Sequence, residues 1–249
     1  MYFSVIIPTL NSAKHISSAI KSAISQKAEV IVVDSYSTDG TDKIAKEEGA
    51  TVLQIKGTRL KARIEGAKIA SAEYIINLDS DMILVEGILQ KIPKAEAIAL
   101  GEITIGNGIT AKLMKIDRKI IQEKYQENLK IEGGVIPRVY RRDILLEAYR
   151  KIPERLLSLQ AFEDSLIYYL SGVKDVKFVK DAVYHIEDDP LPNFLKKWYK
   201  YGKNAKLLKG TEFEFLVKRG RPGTSAKEKI ELLPIMLAKG IPFALGYYL

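Results

Sequence analysis

Four short apolar segments, each followed by polar residues and separated by helical patterns, constrain this chain more than any other feature. They read "YFSVIIP", "EVIVVD", "ATVLQI" and "YIINL". All are rich in β-branched residues and apolar without alternation, which predicts strands buried on both faces. Between the first two, "NSAKHISSAIKSAISQ" places Ile16, Ala19, Ile20, Ala23 and Ile24 at helical spacing, behind the candidate caps Asn11 and Ser12. "STDGTDKIAKEEG" is a loop entering a helix that stops at Gly49, and "TRLKARIEGAKIASA" is helical. The order β-α-β-α-β-α-β predicts an α/β fold: a mostly parallel, Rossmann-like sheet sandwiched by helices. Right-handed crossovers leave the C-terminal ends of all four strands on one edge.

Open α/β sheets bind ligands at that edge. Pro8 to Asn11, Asp34, and Asp79 to Asp81 each fall at or just beyond a strand end, so three polar clusters converge on one crevice. Asp79-Ser80-Asp81 carries the sharpest chemistry. In an extended link, residues i and i+2 point the same way, so the two carboxylates repel and call for a cation. Hard oxygen donors suit Mg²⁺ or Mn²⁺, which keep open positions for substrate phosphates. The alternative is a helix N-cap with an extra loop acid. Asp34 either accepts hydrogen bonds from a base or sugar, or caps the turn "DSYSTDGT". Asp39-Gly40-Thr41 reads as a turn with a helix cap.

The second half is less regular. "AIALGEITIG" reads as a strand, followed by a helix from about Ala111 to Asn128. "GGVIPRVYRR" reads as a strand passing into the helix "DILLEAY". "AFEDSLIYYLSG" is a helix with Glu163 and Asp164 in its first turn, where carboxylates suit the macrodipole. "DVKFVKDAVYHIE" gives one or two strands ending near His185. From Leu191 the chain turns helical in "NFLKKWYKYGKNAKLLKG" and again in "SAKEKIELLPIMLAKG" and "IPFALGYYL", with "KRGRPGTS" as a flexible break between them. This divides the 249 residues into an α/β domain over 1–189 and a helical C-terminal region over 190–249.

Charge follows the same division. Residues 190–249 hold twelve Lys/Arg against four Asp/Glu, which accounts for the whole net charge of +8; residues 1–189 are balanced. A basic excess confined to one end suggests an anionic partner or a solvated helix face. In "FLKKWYKYGKNAKLLK", lysines flank Phe194, Leu195, Trp198 and Tyr201, a pattern suited to a membrane surface. The same segment could equally pack on the α/β domain or form a dimer interface. No run of about 20 uninterrupted apolar residues occurs, which argues against a spanning helix. With no cysteine and no signal-like N-terminus, nothing points to secretion. The expectation is a cytoplasmic protein, at the inner face of the cell membrane if the tail meets lipid.

"SVIIPTLN", "VIVVDSYSTDGT", "ARIEGAKIASAEYIINLDSD" and "FEDSLIYYLSG" occur in the order and spacing of the family 2 glycosyltransferases, inverting enzymes of the GT-A fold, which the chain resembles over roughly residues 3–205. The resemblance implies a hexosyltransferase-class enzyme acting on a nucleotide-diphosphate-sugar with Mn²⁺ or Mg²⁺. It implies that Pro8, Thr9 and Asn11 line the nucleotide and that Asp34 reads its base. Arg63 falls near the donor phosphates, with Ile64 where the family usually has asparagine. Asp79 lies by the ribose and metal, Ser80 belongs with the donor-binding group, and Asp81 binds the metal. Asp164 matches the catalytic base, with Glu163 as a secondary candidate for pairing with a base or favouring the helix start. His185 matches a histidine near the metal or leaving diphosphate. Arg138, Arg141 and Arg142 either hold acceptor phosphates or form a solvated cluster. The acceptor expected is a hydroxyl or a lipid phosphate. Two other readings remain: a non-catalytic nucleotide- or nucleic-acid-binding protein on the same fold, and a nucleotidyltransferase. "PTLNSAKH" lacks the glycine and charge pattern of a triphosphate loop, and a non-catalytic protein has no reason to hold Asp79, Asp81 and Asp164 at this spacing.

Overall fold

The computed structural model describes residues 1–125, 135–218 and 225–249. The first half runs β1 (Phe3–Thr9), α1 (Ile16–Ile24), β2 (Glu29–Asp34), α2 (Thr41–Glu47), β3 (Thr51–Gln54), α3 (Arg59–Ile69), β4 (Tyr74–Asn77) and the short β5 (Met82–Leu84). The second half runs β6 (Ala97–Ile105), α4 (Ile109–Tyr125), β7 (Val139–Arg141), α5 (Arg142–Arg150), α6 (Glu163–Ser171), β8 (Val176–Ile186), α7 (Leu191–Ala205), α8 (Phe215–Lys218) and α9 (Ala226–Tyr248).

Eight strands form one sheet in the order β3-β2-β1-β4-β7-β6-β8-β5. β1 to β4 pair in parallel; β7 runs antiparallel to both β4 and β6, and β5 runs antiparallel to β8. The continuous apolar strands have the expected cause. Val5, Ile7, Val30 and Val32 pack on one face with α1, while Ile6, Ile31 and Val33 pack on the other with α3, α5 and α6. Every residue of β1 is buried.

Four sequence expectations need correction or completion. "DVKFVKDAVYHIE" forms the single strand β8, bent where its register with β6 shifts between Leu100 and Glu102. "GGVIPRVYRR" supplies only the three-residue β7; its first two residues lie outside the described residues, as do the far end of the α4 pattern at Asn128 and most of "KRGRPGTS". β5 was not anticipated, being too short for a pattern. The apolar tail is one 23-residue helix through Pro234 and Pro242, long and apolar enough to cross a bilayer by length and composition.

That helix is nonetheless docked along its length. Leu232 and Ile235 join Met114 and Ile120 of α4 and Phe194 of α7 in one apolar cluster. Lys239 Nζ lies 2.5 Å from Asp117 Oδ2 and 5.0 Å above the Trp198 ring. α7 and α9 cross so closely that a Cβ on Gly202 would overlap the Phe243 carbonyl oxygen, and one on Gly246 the Tyr199 carbonyl oxygen. The helix starts on a capping box: the Ser225 hydroxyl accepts from the Glu228 amide and the Glu228 carboxylate accepts from the Ser225 amide.

Candidate active site

Two clefts open at the C-terminal edge of the parallel strands. The first, about 300 Å³, is lined by Pro8 and Thr9 at the end of β1, Ser12, Ser35 after β2, and Ser80 after β4. The second, about 270 Å³, is lined by Arg138, Glu163, Asp164, Trp198 and Phe243. Arg59, Gln160 and Tyr201 line both and form the seam between them.

Around the first cleft the loops are stapled by polar side chains. Asp34, fully buried, accepts from Thr9 Oγ1 at 3.1 Å, from the Ser37 amide at 3.0 Å, from Ser37 Oγ at 2.5 Å and from Gln54 Nε2 at 3.4 Å. Its carboxylate holds the turn after β2, one of the two roles the sequence left open for it. Asn11 adopts a left-handed backbone (φ 54°), and its Oδ1 accepts from the Thr38 amide at 2.9 Å. It too holds the loop and does not line the cleft. Ser80 Oγ donates to Ser12 Oγ at 2.9 Å, tying the exit of β4 to the loop after β1.

The two aspartates of the acidic triplet diverge in their surroundings. Asp79 Oδ1 is 2.7 Å from Arg63 Nη2, and Asp79 Oδ2 is 3.3 Å from Arg138 Nη1, with Arg59 Nη1 3.9 Å away. Its neutralising cations are guanidinium groups. Burial alone would raise this carboxyl; Arg63, Arg59 and Arg138 reverse that and hold it far below the usual carboxylate range. Arg63 was expected beside donor phosphates but is fully buried, its guanidinium bridging Asp79 and Asp164 Oδ1. It lies behind the cleft wall and reaches no ligand space.

Asp81 has the opposite surroundings. Its Oδ1 is buried without a hydrogen-bond partner, and its Oδ2 lies 3.6 Å from His185 Nε2. The neighbourhood follows from pairing: Met82 of β5 sits opposite His185 of β8, and the Ile186 amide donates to the Asp81 carbonyl at 2.9 Å. His185 Nδ1 is 2.8 Å from Glu102 Oε2 on β6, and Arg118 of α4 contacts Glu102 at 2.9 Å and Glu187 at 2.7 Å. Burial opposes the imidazolium, but Glu102 and Asp81 push His185 up to about 9. Glu102 also meets Arg138 at 3.0 Å, and despite its burial Arg138, His185 and Arg118 hold it well below the carboxylate range.

The fit to a divalent ion follows from these contacts. Among the described residues no group of three or more His, Cys, Asp or Glu side chains is poised around one point. Asp81 and the histidine offer two donors of suitable type, one an orphaned buried oxygen. Such a pair suits an ion that takes its other ligands from water and substrate phosphates.

In the second cleft, Asp164 stands in the first turn of α6 with its side chain about a third exposed. Arg63 occupies its Oδ1, leaving Oδ2 without a hydrogen-bonding partner among the described residues. Glu163 points inward, buried against Arg59. Burial pushes the Glu163 carboxyl up, against the pull of Arg59. Phe162, just before this pair, takes a left-handed backbone (φ 66°) and packs edge-on against Phe243 of α9, with ring centroids 5.8 Å apart. A non-glycine residue in that region is a strained feature of the kind that collects at functional sites.

Sequence reasoning missed Arg59, Glu102, Arg118 and Gln160, and took Tyr201 for an interfacial aromatic. Arg59 was legible, since it precedes Arg63 by one helical turn and must share its face. Glu102 was also legible, as a lone carboxylate inside an apolar strand. Of the three arginines held open, Arg138 enters the cleft, whereas Arg141 pairs with exposed Asp143 at 2.5 Å.

A doubly wound sheet with a split acidic triplet at its crevice and a helix-borne carboxylate across the cleft defines the GT-A class of nucleotide-sugar folds. The chain belongs to glycosyl transferase family 2, whose model matches residues 4–148. It is 27% identical over 208 residues to the poly(ribitol-phosphate) beta-N-acetylglucosaminyltransferase TarS of Staphylococcus aureus, covering 74% of this chain and 35% of TarS. It is 28% identical over 114 residues to the glycosyltransferase GlyG of Streptococcus pneumoniae, covering 42% of this chain and 38% of GlyG. The chain thus spans little more than a third of these curated relatives. Among solved structures, S. aureus TarS 1-349 superposes with a TM-score of 0.59 at 21% identity, covering 96% of this chain and 72% of that one. Glucosyl-3-phosphoglycerate synthase from Mycobacterium tuberculosis, with Mn²⁺, UDP and glucosyl-3-phosphoglycerate, gives 0.53 at 19% identity, covering 90% and 81%. At these identities the likeness is one of fold.

Proposed function

We propose that this chain is a metal-dependent inverting glycosyltransferase that moves a sugar from a nucleotide-diphosphate-sugar to an acceptor hydroxyl or a lipid phosphate. The observation that carries the reading is Asp81 Oδ1, a buried carboxylate oxygen left without a partner next to His185. A buried carboxylate oxygen with no hydrogen-bond partner is costly unless something binds it. Asp81 and His185 would hold Mn²⁺ or Mg²⁺, which would supply Lewis-acid neutralisation of the leaving diphosphate.

This chain's own residues do the rest. Pro8, Thr9 and Ser80 form the wall for the nucleotide, kept in shape by Asp34 and Asn11 behind it. Arg59, Gln160 and Tyr201, on the seam, flank the transferred sugar. Asp79 contributes as the anchor of Arg63 and Arg138 and holds the wall charge-balanced. Arg63 fixes the carboxylate of Asp164 so that Oδ2 faces the acceptor and removes its proton as the new bond forms. One base and one displacement invert the anomeric centre. With a phosphate acceptor no proton need leave, and Asp164 then orients it.

The test is a thermal-shift panel of nucleoside diphosphates and nucleotide-sugars with and without Mn²⁺. The expected result is stabilisation that needs nucleotide and metal together, and its disappearance in Asp81→Ala. Equal stabilisation without metal, or full transfer activity in Asp81→Ala, would overturn the reading.

A further inference from the structure

The docking of α9 leaves one of its faces unexplained. Ile230, Leu233, Leu237, Ile241, Leu245 and Tyr248 recur every three or four residues, which places them on one stripe. All are exposed, from 47% at Leu245 to 74% at Tyr248. Large apolar side chains in such a row normally mark a surface that something covers.

Three observations say what covers it. First, the opposite face is committed: Leu232 and Ile235 are buried, Lys239 is bound to Asp117, and Gly246 meets the α7 backbone. Crossing a bilayer would cost α9 these contacts, whereas lying on a surface keeps them. Second, the net uncompensated charge around it is positive. Lys196, Lys200 and Lys203 on α7, and Lys227 and Lys229 at the start of α9, make no ion pair among the described residues, and against these five stands the exposed Glu231 of α9. Glu228 is already paired with Lys124 at 2.5 Å. A second copy of this chain would bring two such basic faces together, whereas an anionic layer would neutralise them. Third, the helix is continuous with the site: Phe243 lines the second cleft while Ile241 and Leu245 on either side of it point out.

We propose that α9 is an interfacial docking element that seats the protein on an anionic lipid surface. The apolar stripe enters the boundary between headgroups and acyl chains, and the flanking lysines meet lipid phosphates. Docking itself does not depend on the transfer reading. Its corollary does: with Phe243 on the inner side of the same helix, the acceptor cleft lies next to the lipid, which favours an acceptor attached to the membrane.

The experiment is flotation of the full chain with vesicles of phosphatidylcholine alone or mixed with phosphatidylglycerol. Binding is expected to the mixed vesicles and to fall as salt rises. Leu237→Glu with Ile241→Glu is expected to weaken it by about tenfold or more, since it removes two buried anchors and adds two charges. Lys200→Glu with Lys203→Glu is expected to weaken it by about tenfold and to erase the preference for anionic lipid. Both pairs are surface changes, and circular dichroism checks that the fold is kept. Failure of the native chain to float with anionic vesicles would overturn the proposal, as would undiminished flotation of the stripe variant. So would a dimer, seen by sedimentation, that the stripe substitutions dissociate. Nucleotide binding measured without vesicles separates the two hypotheses: lost flotation with intact metal-dependent binding sinks only docking, and the reverse sinks only the transferase reading.

Discussion

Asp79 and Asp81 stand two residues apart at the exit of one strand and live in opposite electrostatic worlds. Asp79 is enclosed by Arg63, Arg138 and Arg59, so its charge is matched within the protein. Asp81 is left with one oxygen orphaned and the other facing a histidine. The difference separates two roles within a single acidic motif. The first aspartate is scaffold, fixed by folding. The second is left with an unpartnered oxygen by folding, which is what the proposed cation would satisfy.

Substitutions can break this contrast. Asp79→Ala is expected to cost about 1.5–3 kcal/mol of stability, because it takes one carboxylate from Arg63, which keeps Asp164, and one from Arg138, which keeps Glu102. Urea denaturation measures it; a loss below about 1 kcal/mol would mean that Asp79 is no more structural than Asp81. Asp81→Ala should do the reverse, with stability nearly unchanged or slightly improved. It should lower kcat/KM by about 10²–10³-fold, or roughly 3–4 kcal/mol in the barrier, measured as sugar transfer or donor hydrolysis in saturating Mn²⁺.

His185 sharpens the comparison through pH. Its pKa is raised from 6.5 to about 9 in the folded protein, so the metal-free form gains stability that is full below about 6.5 and is lost as pH rises through about 9. The contribution is about 1–3 kcal/mol. A divalent ion competes with the same proton, so Mn²⁺ affinity should climb across that window while metal-free stability declines. Calorimetry in buffers of different ionisation enthalpy should detect about one proton released per ion bound near neutral pH, and His185→Gln should flatten both trends. Smallest is Thr9→Val, which removes one of the donors to Asp34. It should cost about 1 kcal/mol of stability and leave the metal requirement intact, since this staple shapes the nucleotide wall without touching the ion.

The first four strands and their shared edge were legible because continuous apolar runs have no other use in a chain of this composition. The placement of Asp79, Asp81 and Asp164 around one crevice followed from the same topology. The orientation of each carboxylate did not. Whether Asp79 faces metal or arginine depends on Arg138, which β7 brings in antiparallel from 59 residues away. No local spacing encodes that. Asp34 shows the same limit, because its donors arrive from β1 and β3 and only the folded sheet sets them around it. For α9, Pro234 and Pro242 argued for interruption; packing of Leu232, Ile235 and Gly246 against α4 and α7 outweighs the backbone bonds that two prolines remove.

The three-residue strand β5 ends the sheet's strand order and, among the described residues, pairs only with β8. Asp81 immediately precedes that strand, and His185 lies opposite Met82 on its partner. The proposed ion-binding pair therefore needs the sheet's last seam zipped: β6 fixes His185 through its own pairing with β8, and a slip of β5 by one residue would carry Asp81 away from it. Short edge pairings open far more readily than central ones. Slow amide hydrogen exchange at β5, acquired on adding manganese and nucleotide, would then report site assembly, coupling catalytic readiness to the fraying of three residues.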